Sequence, residues 1–428
     1  MFDVIIIGGG AAGFYAAVHI AEADPQLKIA ILERGKEVLT KVKVSGGGRC
    51  NVTHAEFDPN ELVKNYPRGE KELLGPFHTH CSGDTVRFFE DRGIPLKTED
   101  DGRMFPASNS SQTIIDFFLR EADKWGIKLL RNSSVVDITP IIVNKENPCG
   151  GWAVRSIQKT YRAKKILVAT GGSTKIWNLL QKLGHTIEPP VPSLFTFNIK
   201  DNRIEGIQGV SSNARIEVLP KKIFDSKITV KLKSKVPKAP KLQSEGALLI
   251  THWGMSGPAI LKLSAWGAKT LNERSYQFKI KVNWLPEYHE EAVIHHLMEV
   301  KEMEPKKTVL RTNAFDIPRR LWINLVKASD IPKSMKWGDV SKNRLQNLAD
   351  QLTDSIFSVD GKSTFKEEFV TAGGVHLKEI DFKTYASKIL PNLYFAGEVI
   401  NVDAITGGFN FQNAWTGAYI VAKAIAKR

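Results

Sequence analysis

Glycines placed to meet a phosphate stand near the start of the chain. Gly8, Gly10 and Gly13 form the pattern G-x-G-x-x-G between an apolar strand and a helical pattern. In such a loop the first glycine permits a tight turn, the second lets the backbone approach a pyrophosphate, and the third lets the helix pack closely on the strand. Glu33 ends the next apolar strand, where a carboxylate accepts hydrogen bonds from a ribose and disfavours a 2′-phosphate. The sequence therefore predicts a site for FAD or NAD.

Hydrophobic periodicity predicts the elements around this loop. Residues 3–7 and 28–32 are typical of buried strands, and 11–23 of a helix between them, which makes one βαβ unit. Two later buried strands, 166–169 and 393–396, also end in glycine turns. We therefore expect a doubly wound α/β domain that takes its elements from both ends of the chain.

The middle of the chain predicts a different architecture. Alternating strands are expected over 214–219, 228–232, 247–251 and 276–282. Helical patterns cover 290–300, 319–328 and 342–352, and a last helix is expected over 410–426. The predicted domains are a discontinuous nucleotide-binding domain (1–190 and 372–428), a β-rich insert (191–284 and 356–371) and a helical subdomain (285–355).

Two further glycine segments suit a flavin. The segment from Ser45 to Asn51 offers backbone N–H donors and the Arg49 cation to a phosphate or to the polar edge of a ring. Gly407 and Gly408 open the last helix, whose positive dipole end would stabilise negative charge near N1 and C2=O of a reduced flavin. A glycine-rich surface loop and a helix cap without a ligand are the competing interpretations.

Four motifs carry a specific resemblance. They are Lys43-x-Ser45-Gly-Gly-Gly-Arg-Cys-Asn51, Gly102-Arg-Met-Phe-Pro106, Thr251-His-x-Gly-x-Ser-Gly-Pro258 and Asp403-x-x-Thr-Gly-Gly-Phe-Asn-x-Gln-x-Ala-Trp415. Together they resemble the BaiN-like (HI-type) family of NAD(P)/FAD-dependent oxidoreductases, which includes aminoacetone oxidase and a bile-acid pathway reductase. The resemblance spans residues 1 to about 425. The chain departs from the family pattern at Ala404, Phe409, Phe411 and Ser111, where glycine, tyrosine, leucine and a small apolar residue are usual.

This resemblance implies a fold, a cofactor and its contacts. The fold is that of two-dinucleotide-binding-domain flavoproteins: a Rossmann-like FAD domain with a β-barrel-like insert and a small helical subdomain over the isoalloxazine. FAD is expected to be noncovalent, with Glu398 on its ribityl or pyrophosphate side and the Val135 backbone at its adenine. Beyond the first loop and Glu33, the expected cofactor contacts are Ala12, Arg34, Lys43, Ser45, Gly46, Gly48, Arg49, Cys50, Asn51, Met104, Val135, Thr170, Gly171, Gly397, Glu398, Asp403, Gly407, Gly408, Phe409 and Asn410.

Two side chains invite a chemical role. Cys50 lies far in sequence from Cys81 and Cys149, so a C-x-x-C redox pair is absent and a buried structural thiol is favoured over electron transfer. His252 precedes a Gly-x-Ser-Gly-Pro turn, where it either contacts the substrate as an acid or base or is simply structural. No histidine spacing predicts a metal site.

Charge and composition restrict the partners. The chain of 428 residues has a formal net charge of +14, much of it in a lysine-rich segment over 221–241. Lys231, Lys233 and Lys235 alternate with apolar residues, which favours the solvated face of a strand over a nucleic-acid groove because no aromatic side chains interleave. We find neither a signal peptide nor an apolar run long enough to span a membrane, and we expect a soluble protein of the reducing cytoplasm.

The sequence thus predicts an FAD-dependent oxidoreductase that passes hydride between flavin N5 and a small organic substrate or NAD(P)H. No second complete G-x-G-x-x-G followed by an acid is present, so NAD(P)H would visit the flavin transiently. An amine or aminoketone oxidase that returns electrons to oxygen is equally compatible. Flavin-dependent tRNA modification and a noncatalytic redox sensor are the alternatives, and the sequence leaves the oligomeric state open.

Overall fold

A computed structural model describes residues 1–142, 150–220, 241–363 and 370–427. The chain forms two compact units, Met1–Ser193 with Phe365–Arg428 and Leu194–Thr364. The lysine-rich alternation, the strand predicted over 228–232 and Cys149 lie outside the described residues.

The chain contains both helices and strands throughout the two units. The helices are α1 (Ala11–Ala23), α2 (Thr40–Gly48), α3 (Pro59–Leu62), α4 (Glu70–Thr79), α5 (Ser82–Glu90), α6 (Ser111–Lys124), α7 (Thr174–Lys182), α8 (Pro258–Trp266), α9 (Ala268–Glu273), α10 (Glu290–Met303), α11 (Arg319–Ala328), α12 (Lys342–Thr353) and α13 (Phe409–Ala426). The strands are β1 (Phe2–Ile7), β2 (Ile29–Leu32), β3 (Thr53–His54), β4 (Leu96–Thr98), β5 (Arg103–Pro106), β6 (Lys128–Leu130), β7 (Val135–Pro140), β8 (Trp152–Ser156), β9 (Thr160–Val168), β10 (Ile187–Ser193), β11 (Thr196–Asn198), β12 (Ser211–Val218), β13 (Gln243–Ile250), β14 (Gly254–Ser256), β15 (Gln277–Asn283), β16 (Ser355–Asp360), β17 (Lys362–Ser363), β18 (Val370–Val375), β19 (Ile380–Asp381), β20 (Ala386–Ser387) and β21 (Leu393–Phe395).

The first unit is built on a sheet in the order β19-β20-β21-β9-β1-β2-β6, with β8 pairing β9 and β7 pairing β8. Strand β1 runs parallel to β2 on one side and to β9 on the other, and β21 runs parallel to β9. The buried runs of apolar residues in β1 and β2 are typical of parallel strands covered on both faces. The predicted βαβ unit and doubly wound α/β fold are confirmed. The order reverses at β1, where open α/β sheets bind their ligands.

Helices α1 and α13 pack together over this sheet. Both are rich in alanine, so their backbones approach closely, and most of their residues are buried. Tyr15 of α1 packs against Trp415 of α13 with ring centroids 5.0 Å apart, and Phe118 of α6 lies 5.9 Å from the same indole. The last helix, predicted from residue 410, begins one residue earlier.

A small sheet in the order β3-β5-β4 lies in the same unit, and β3 begins shortly after the glycine segment from Ser45 to Asn51 ends. Thr53 pairs with Met104 in its ladder, and the Val52 N–H donates to the Met104 carbonyl at 2.9 Å. Strands β10 and β18 form a separate antiparallel pair.

The second unit is a seven-stranded sheet with helices. Its order is β16-β15-β12-β13-β14-β11-β17, and alternate residues of each long strand are buried. The strands at the two ends of this path, β16 and β17, are separated in sequence only by Gly361, whose φ is +98°. The sheet therefore curls back on itself, which confirms the predicted barrel-like insert. Helices α8 and α9 were not predicted within this β-rich range, although Gly257 and Pro258 mark a helix start.

Helices α10, α11 and α12 belong to this second unit as well. Their apolar faces share one core with the sheet, and the side chains of Trp284, Trp322 and Trp337 are almost fully buried in it. The separate helical subdomain over 285–355 and the other domain boundaries stay predictions.

Candidate cofactor and active site

The first glycine loop lies at the carboxyl end of β1. A Cβ on Gly8, whose φ is +114°, would lie 2.5 Å from the Ala169 carbonyl oxygen, and one on Gly13 would lie 2.1 Å from the Gly8 oxygen. By contrast, no atom of the described chain lies within 4 Å of the Cβ position of Gly10. Helix α1 begins here without a side-chain cap and without an acid in its first turn. Its N–H groups therefore face an open space that suits a diphosphate.

Glu33 lies beside this loop at the end of β2. Its carboxylate accepts the Gly9 N–H at 2.9 Å and the Gly35 N–H at 2.8 Å, which fixes the side chain. Each carboxylate oxygen keeps a second lone pair that can accept a ribose hydroxyl. Arg34, the next residue, is exposed, and Ala12 is buried in the first turn of α1.

Two other turns reach the same edge of the sheet. Ile7 is level with Val168 of β9, and Val168 is level with Phe395 of β21, so the residues after all three strands lie together. These residues include Gly171 and Glu398. Both were predicted as cofactor contacts, and the fold brings them to the edge that carries the first glycine loop.

Glu398 is held by protein groups on both of its oxygens. Its Oε1 accepts the Thr371 N–H at 2.9 Å, and its Oε2 pairs with the ammonium of Lys41. The Cβ position of Gly171 lies 3.4 Å from Oε2 and 4.0 Å from Lys41 Nζ. Lys43, the lysine predicted to contact the cofactor, pairs instead with Glu37 at 3.3 Å.

The second glycine segment is the kinked end of α2. Ser45 has extended backbone angles, and Gly46, Gly47 and Gly48 all have positive φ. A Cβ on Gly46 would lie 2.8 Å from the Phe105 ring, whereas no described atom lies within 4 Å of the Cβ position of Gly47. One side of this loop is thus packed and the other is open.

Arg49 in this segment is committed to protein partners. Its guanidinium donates to Glu99 at 2.6 Å and lies 4.0 Å from the centroid of the Phe105 ring. The cation predicted to meet the cofactor is therefore neutralised and stacked, although a third of its side chain is exposed.

The third glycine segment is joined to the second. A Cβ on Gly408, whose φ is +95°, would lie 2.5 Å from the Thr53 carbonyl group. With its amide oriented to satisfy its neighbours, Asn51 accepts the Gly408 N–H at 3.0 Å and donates to the Thr53 and Met104 carbonyls. Trp415 of α13 donates to the Val52 carbonyl at 2.9 Å. The start of α13 is thereby fixed against the segment that follows α2.

Three residues predicted to contact the cofactor in this region have side chains that bond to or stack on other protein groups. The Asn410 amide bonds both the N–H and the carbonyl of Ala404, at 3.0 and 3.1 Å. The buried Phe409 ring stacks on His54 with centroids 4.5 Å apart. Asp403 is fully buried, pairs with Arg68 through both oxygens and accepts a hydrogen bond from Ser193 at 2.8 Å. Burial raises the pKa of Asp403, and Arg68 opposes this effect. These side chains position the loop before α13.

Cys50 is fully buried, as the structural interpretation of this thiol predicts. Burial raises its pKa to about 12, so the thiol stays protonated at neutral pH and does not act as a nucleophile. Met104 and Val135 are also buried, and Val135 pairs with Ser156 in the β7–β8 ladder. Their contacts with a cofactor stay predictions.

His252 belongs to the second unit. It is exposed at the turn between β13 and β14, next to Trp253, whose side chain is 61% exposed. The described residues hold no group of three or more His, Cys, Asp or Glu side chains arranged to bind a metal. In the described part of the chain, no helix has the length and hydrophobicity needed to cross a membrane.

The residues at the sheet edge fit FAD. Two of the glycines whose Cβ positions are open, Gly10 and Gly47, belong to the segments expected to face the cofactor, while Gly8, Gly13 and Gly408 are required by packing. A doubly wound sheet that carries such turns, an acid after β2 and two helix N-termini defines a flavoprotein of the Rossmann type.

Comparison with known proteins identifies the family. The model of the HI0933-like protein Rossmann domain matches residues 2–424, so the chain belongs to this family, as its motifs predicted, and is an FAD-dependent oxidoreductase. It is 29% identical over 434 residues to the ribosomal RNA dihydrouridine synthase of Haemophilus influenzae, covering 99% of this chain and 98% of that protein. It is 28% identical over 435 residues to the protein of the same name from Escherichia coli, covering 99% and 97%. It is also 25% identical over 431 residues to the 3-dehydro-bile acid delta(4,6)-reductase of Clostridium scindens, covering 99% and 98%.

Proposed function

We propose that this protein is an FAD-dependent reductase of activated carbon–carbon double bonds, with NAD(P)H as its electron donor. The observation that carries the proposal is the start of α13. This helix has no side-chain cap and no acid in its first turn, and Asn51 accepts the N–H of Gly408, the residue before the helix. A helix end of this kind stabilises negative charge on a reduced cofactor.

The chain's own groups would divide the remaining work. The N-terminus of α1 and Gly10 would hold the diphosphate, and Glu33 would accept the ribose hydroxyls. Bound FAD supplies a hydride donor and acceptor at N5. Cys50 is buried and protonated, and we give it no role in the reaction. Reduction of a double bond adds one proton besides the hydride, and His252 is the proposed donor of that proton.

The names of the full-length relatives support this class of substrate. Dihydrouridine is uridine with one ring double bond reduced, and a delta(4,6)-reductase acts on carbon–carbon double bonds. A small organic molecule with a double bond conjugated to a carbonyl is the first candidate. A uridine in RNA is the second, because two relatives carry that name and the net charge of +14 attracts a polyanion.

NAD(P)H is proposed as a transient donor because the sequence has no second complete G-x-G-x-x-G followed by an acid. NAD(P)H as the electron donor and free thiols at Cys50 and Cys81 are typical of a protein of the reducing cytoplasm, which is the compartment we propose. An amine or aminoketone oxidase is the rival enzyme.

An anaerobic absorbance titration tests this proposal. We expect NADH or NADPH to bleach the flavin band, and a conjugated enone, or an unmodified ribosomal RNA transcript, to restore it. Restoration by the enone alone selects the small substrate, and restoration by the RNA alone selects the uridine. If amines or aminoketones bleach the flavin band and neither NADH nor NADPH does so, the proposed reductase activity is refuted and the protein is an amine or aminoketone oxidase.

A further inference from the structure

Basic side chains are concentrated in one stretch of the second unit. Residues 305–340 contain eight lysines and arginines against three acids, Asp316, Asp330 and Asp339, whereas the whole chain has 60 basic and 46 acidic residues. The stretch comprises the loop after α10, helix α11 and the loop after α11. The excess of positive charge is therefore local, and the fold of the stretch decides whether these charges lie together.

Hydrogen bonds hold the two loops of this stretch side by side. Lys336 pairs with Thr308 in an antiparallel bridge, and the Val309 N–H donates to the Met335 carbonyl at 3.1 Å. Helix α11 joins the same place, because the indole of Trp322 donates to the Val309 carbonyl at 3.1 Å. The two loops and the beginning of α11 are therefore neighbours in the fold.

Most cations of this region are exposed and are not neutralised by the protein. Lys307 is the exception, because it pairs with Glu304 at 2.9 Å. Among the charged side chains that the structure describes, none forms an ion pair with the other exposed cations of the two loops and the first turn of α11, which are Lys306, Arg311, Arg319, Arg320, Lys333 and Lys336. We call these six residues the cationic surface.

The position of two of these arginines is unfavourable for the helix that carries them. Arg319 and Arg320 are the first two residues of α11, whose first turn, described in full, contains no acid. Positive charge at this end of a helix opposes the helix dipole, whereas Lys327 in the last turn is favourable for the same reason. Helix stability therefore explains Lys327 but not the two arginines, which points to a role in binding.

The chemistry of the region favours phosphate groups of RNA as its partner. A guanidinium donates two parallel N–H bonds to a phosphate, and the cationic surface contains three arginines. Within residues 305–340, all of which the structure describes, no large hydrophobic side chain is exposed, so the anchors that enter a lipid surface are missing. RNA helices are bound mainly through phosphates, 2′-hydroxyls and shape, which requires no exposed aromatic ring.

We propose that the cationic surface binds the phosphate backbone of RNA. The inference rests on the second candidate substrate of the proposed function, a uridine in RNA, and adds the surface that would hold this RNA. Each contact between a cation and a phosphate releases a counterion, so RNA binding weakens steeply as the salt concentration rises. Loss of one such contact lowers the slope of log K against log salt concentration by about 1.

The test compares triple variants of the whole chain that carry the same change in net charge. The first surface variant carries Arg319→Gln, Arg320→Gln and Lys336→Gln. A second surface variant, which leaves α11 unchanged, carries Lys306→Gln, Arg311→Gln and Lys333→Gln. The control replaces three exposed lysines of the first unit and carries Lys71→Gln, Lys182→Gln and Lys383→Gln. Urea unfolding checks that each variant keeps the stability of the parent chain.

Binding of a fluorescently labelled stem-loop of unmodified ribosomal RNA is followed by anisotropy over a series of salt concentrations. We expect each surface variant to bind this RNA at least about tenfold more weakly than the parent chain at about 0.1 M salt, with a slope smaller by about 2–3. The control should stay within about threefold of the parent chain, because its lysines lie outside the cationic surface.

Three results would overturn the proposal. The first is an equal loss of affinity in the surface variants and the control, since net charge alone would then explain binding. The second is a parent chain that binds no RNA. The third is unchanged RNA binding in the surface variants together with lost binding to vesicles that contain acidic phospholipid, which would assign the surface to a lipid.

The proposed function is tested separately on the same variants. Bleaching of the flavin band by NADH or NADPH reports the reductase, and none of the substitutions should change it. If neither nicotinamide bleaches the flavin while the surface variants lose RNA as expected, the reductase is refuted and the RNA surface stands. If bleaching occurs and the surface variants bind RNA like the parent chain, the RNA surface is refuted and the reductase stands.

Discussion

Two glycines of one loop are expected to respond differently to the same added methyl group. Gly10 and Gly13 belong to one motif, yet the space around them differs. No described atom lies within 4 Å of the Gly10 Cβ position, while the Gly13 position is 2.1 Å from the Gly8 carbonyl oxygen. We therefore expect Gly10→Ala to lose cofactor without loss of fold, and Gly13→Ala to lose both.

The magnitudes follow from the local geometry. Gly10 has φ −99° and ψ −168°, which any residue adopts, so alanine there should change the free energy of unfolding of the flavin-free chain by less than about 1 kcal/mol. Its methyl group would enter the space from which a diphosphate meets the α1 N–H groups. Loss of one charge-assisted hydrogen bond costs about 1.5–3 kcal/mol, or at least a tenfold weaker Kd. At Gly13 the helix must move by about 1 Å from its strand, and such overpacking costs about 1–3 kcal/mol.

Urea unfolding of the flavin-free chains and calorimetric titration with FAD provide the two measurements. If Gly10→Ala has the same free energy of unfolding and the same Kd for FAD as the parent chain, the assignment of this loop to the diphosphate is refuted. If Gly13→Ala has the same free energy of unfolding as the parent chain, the close packing of α1 on β1 is refuted. Gly75→Ala, at a helical glycine with no atom within 4 Å of its Cβ position, is the control for a harmless methyl group.

Three further outcomes follow from the site and the core. Glu33→Ala should abolish flavin retention, because the Gly9 N–H loses its acceptor and the ribose loses its partner; a purified variant that stays yellow contradicts this. His252→Ala should slow flavin reoxidation by substrate but leave FAD bound, and an unchanged stopped-flow rate would remove His252 from the mechanism. Burial lowers the pKa of His19 to about 3 and of His80 to about 4, so each stays neutral in the folded chain while the unfolded chain takes up protons below pH 6.5. Their contribution to stability is therefore lost as pH falls through 6.5 and should be about 2 kcal/mol smaller per histidine at pH 5, and urea unfolding should show a smaller loss in His19→Leu than in the parent chain.

Elements whose signals are local could be predicted from the sequence. The βαβ unit follows from apolar runs on both sides of a glycine loop, and the structure reproduces α1 over the expected residues. The sequence also located the strand ends that carry Gly171 and Glu398, because buried strands end where glycine and charge begin. What decides these elements lies within about ten residues of each one.

Contacts between distant parts of the chain could not be predicted in this way. Arg68 and Asp403 form a buried ion pair across more than 300 residues of sequence, and nothing in the spacing of either motif names the other. The pairing of Lys41 with Glu398 depends on the direction in which α2 leaves the first glycine loop. That direction is set by the hydrogen bond from Leu39 to Gly9, which sequence patterns do not encode.

The two glycine segments at the proposed flavin end behave as one structural unit. The Thr53 backbone occupies the space that a side chain on Gly408 would need, so neither strand β3 nor the start of α13 can shift independently. Phe409, a departure from the family pattern, is buried and stacks on His54 of β3 at an interplanar angle of 23°. The side chain at position 409 therefore contacts a residue of the other segment. We therefore expect that any transfer of substrate preference from a relative must compare positions 54 and 409 together, because their side chains stack on each other.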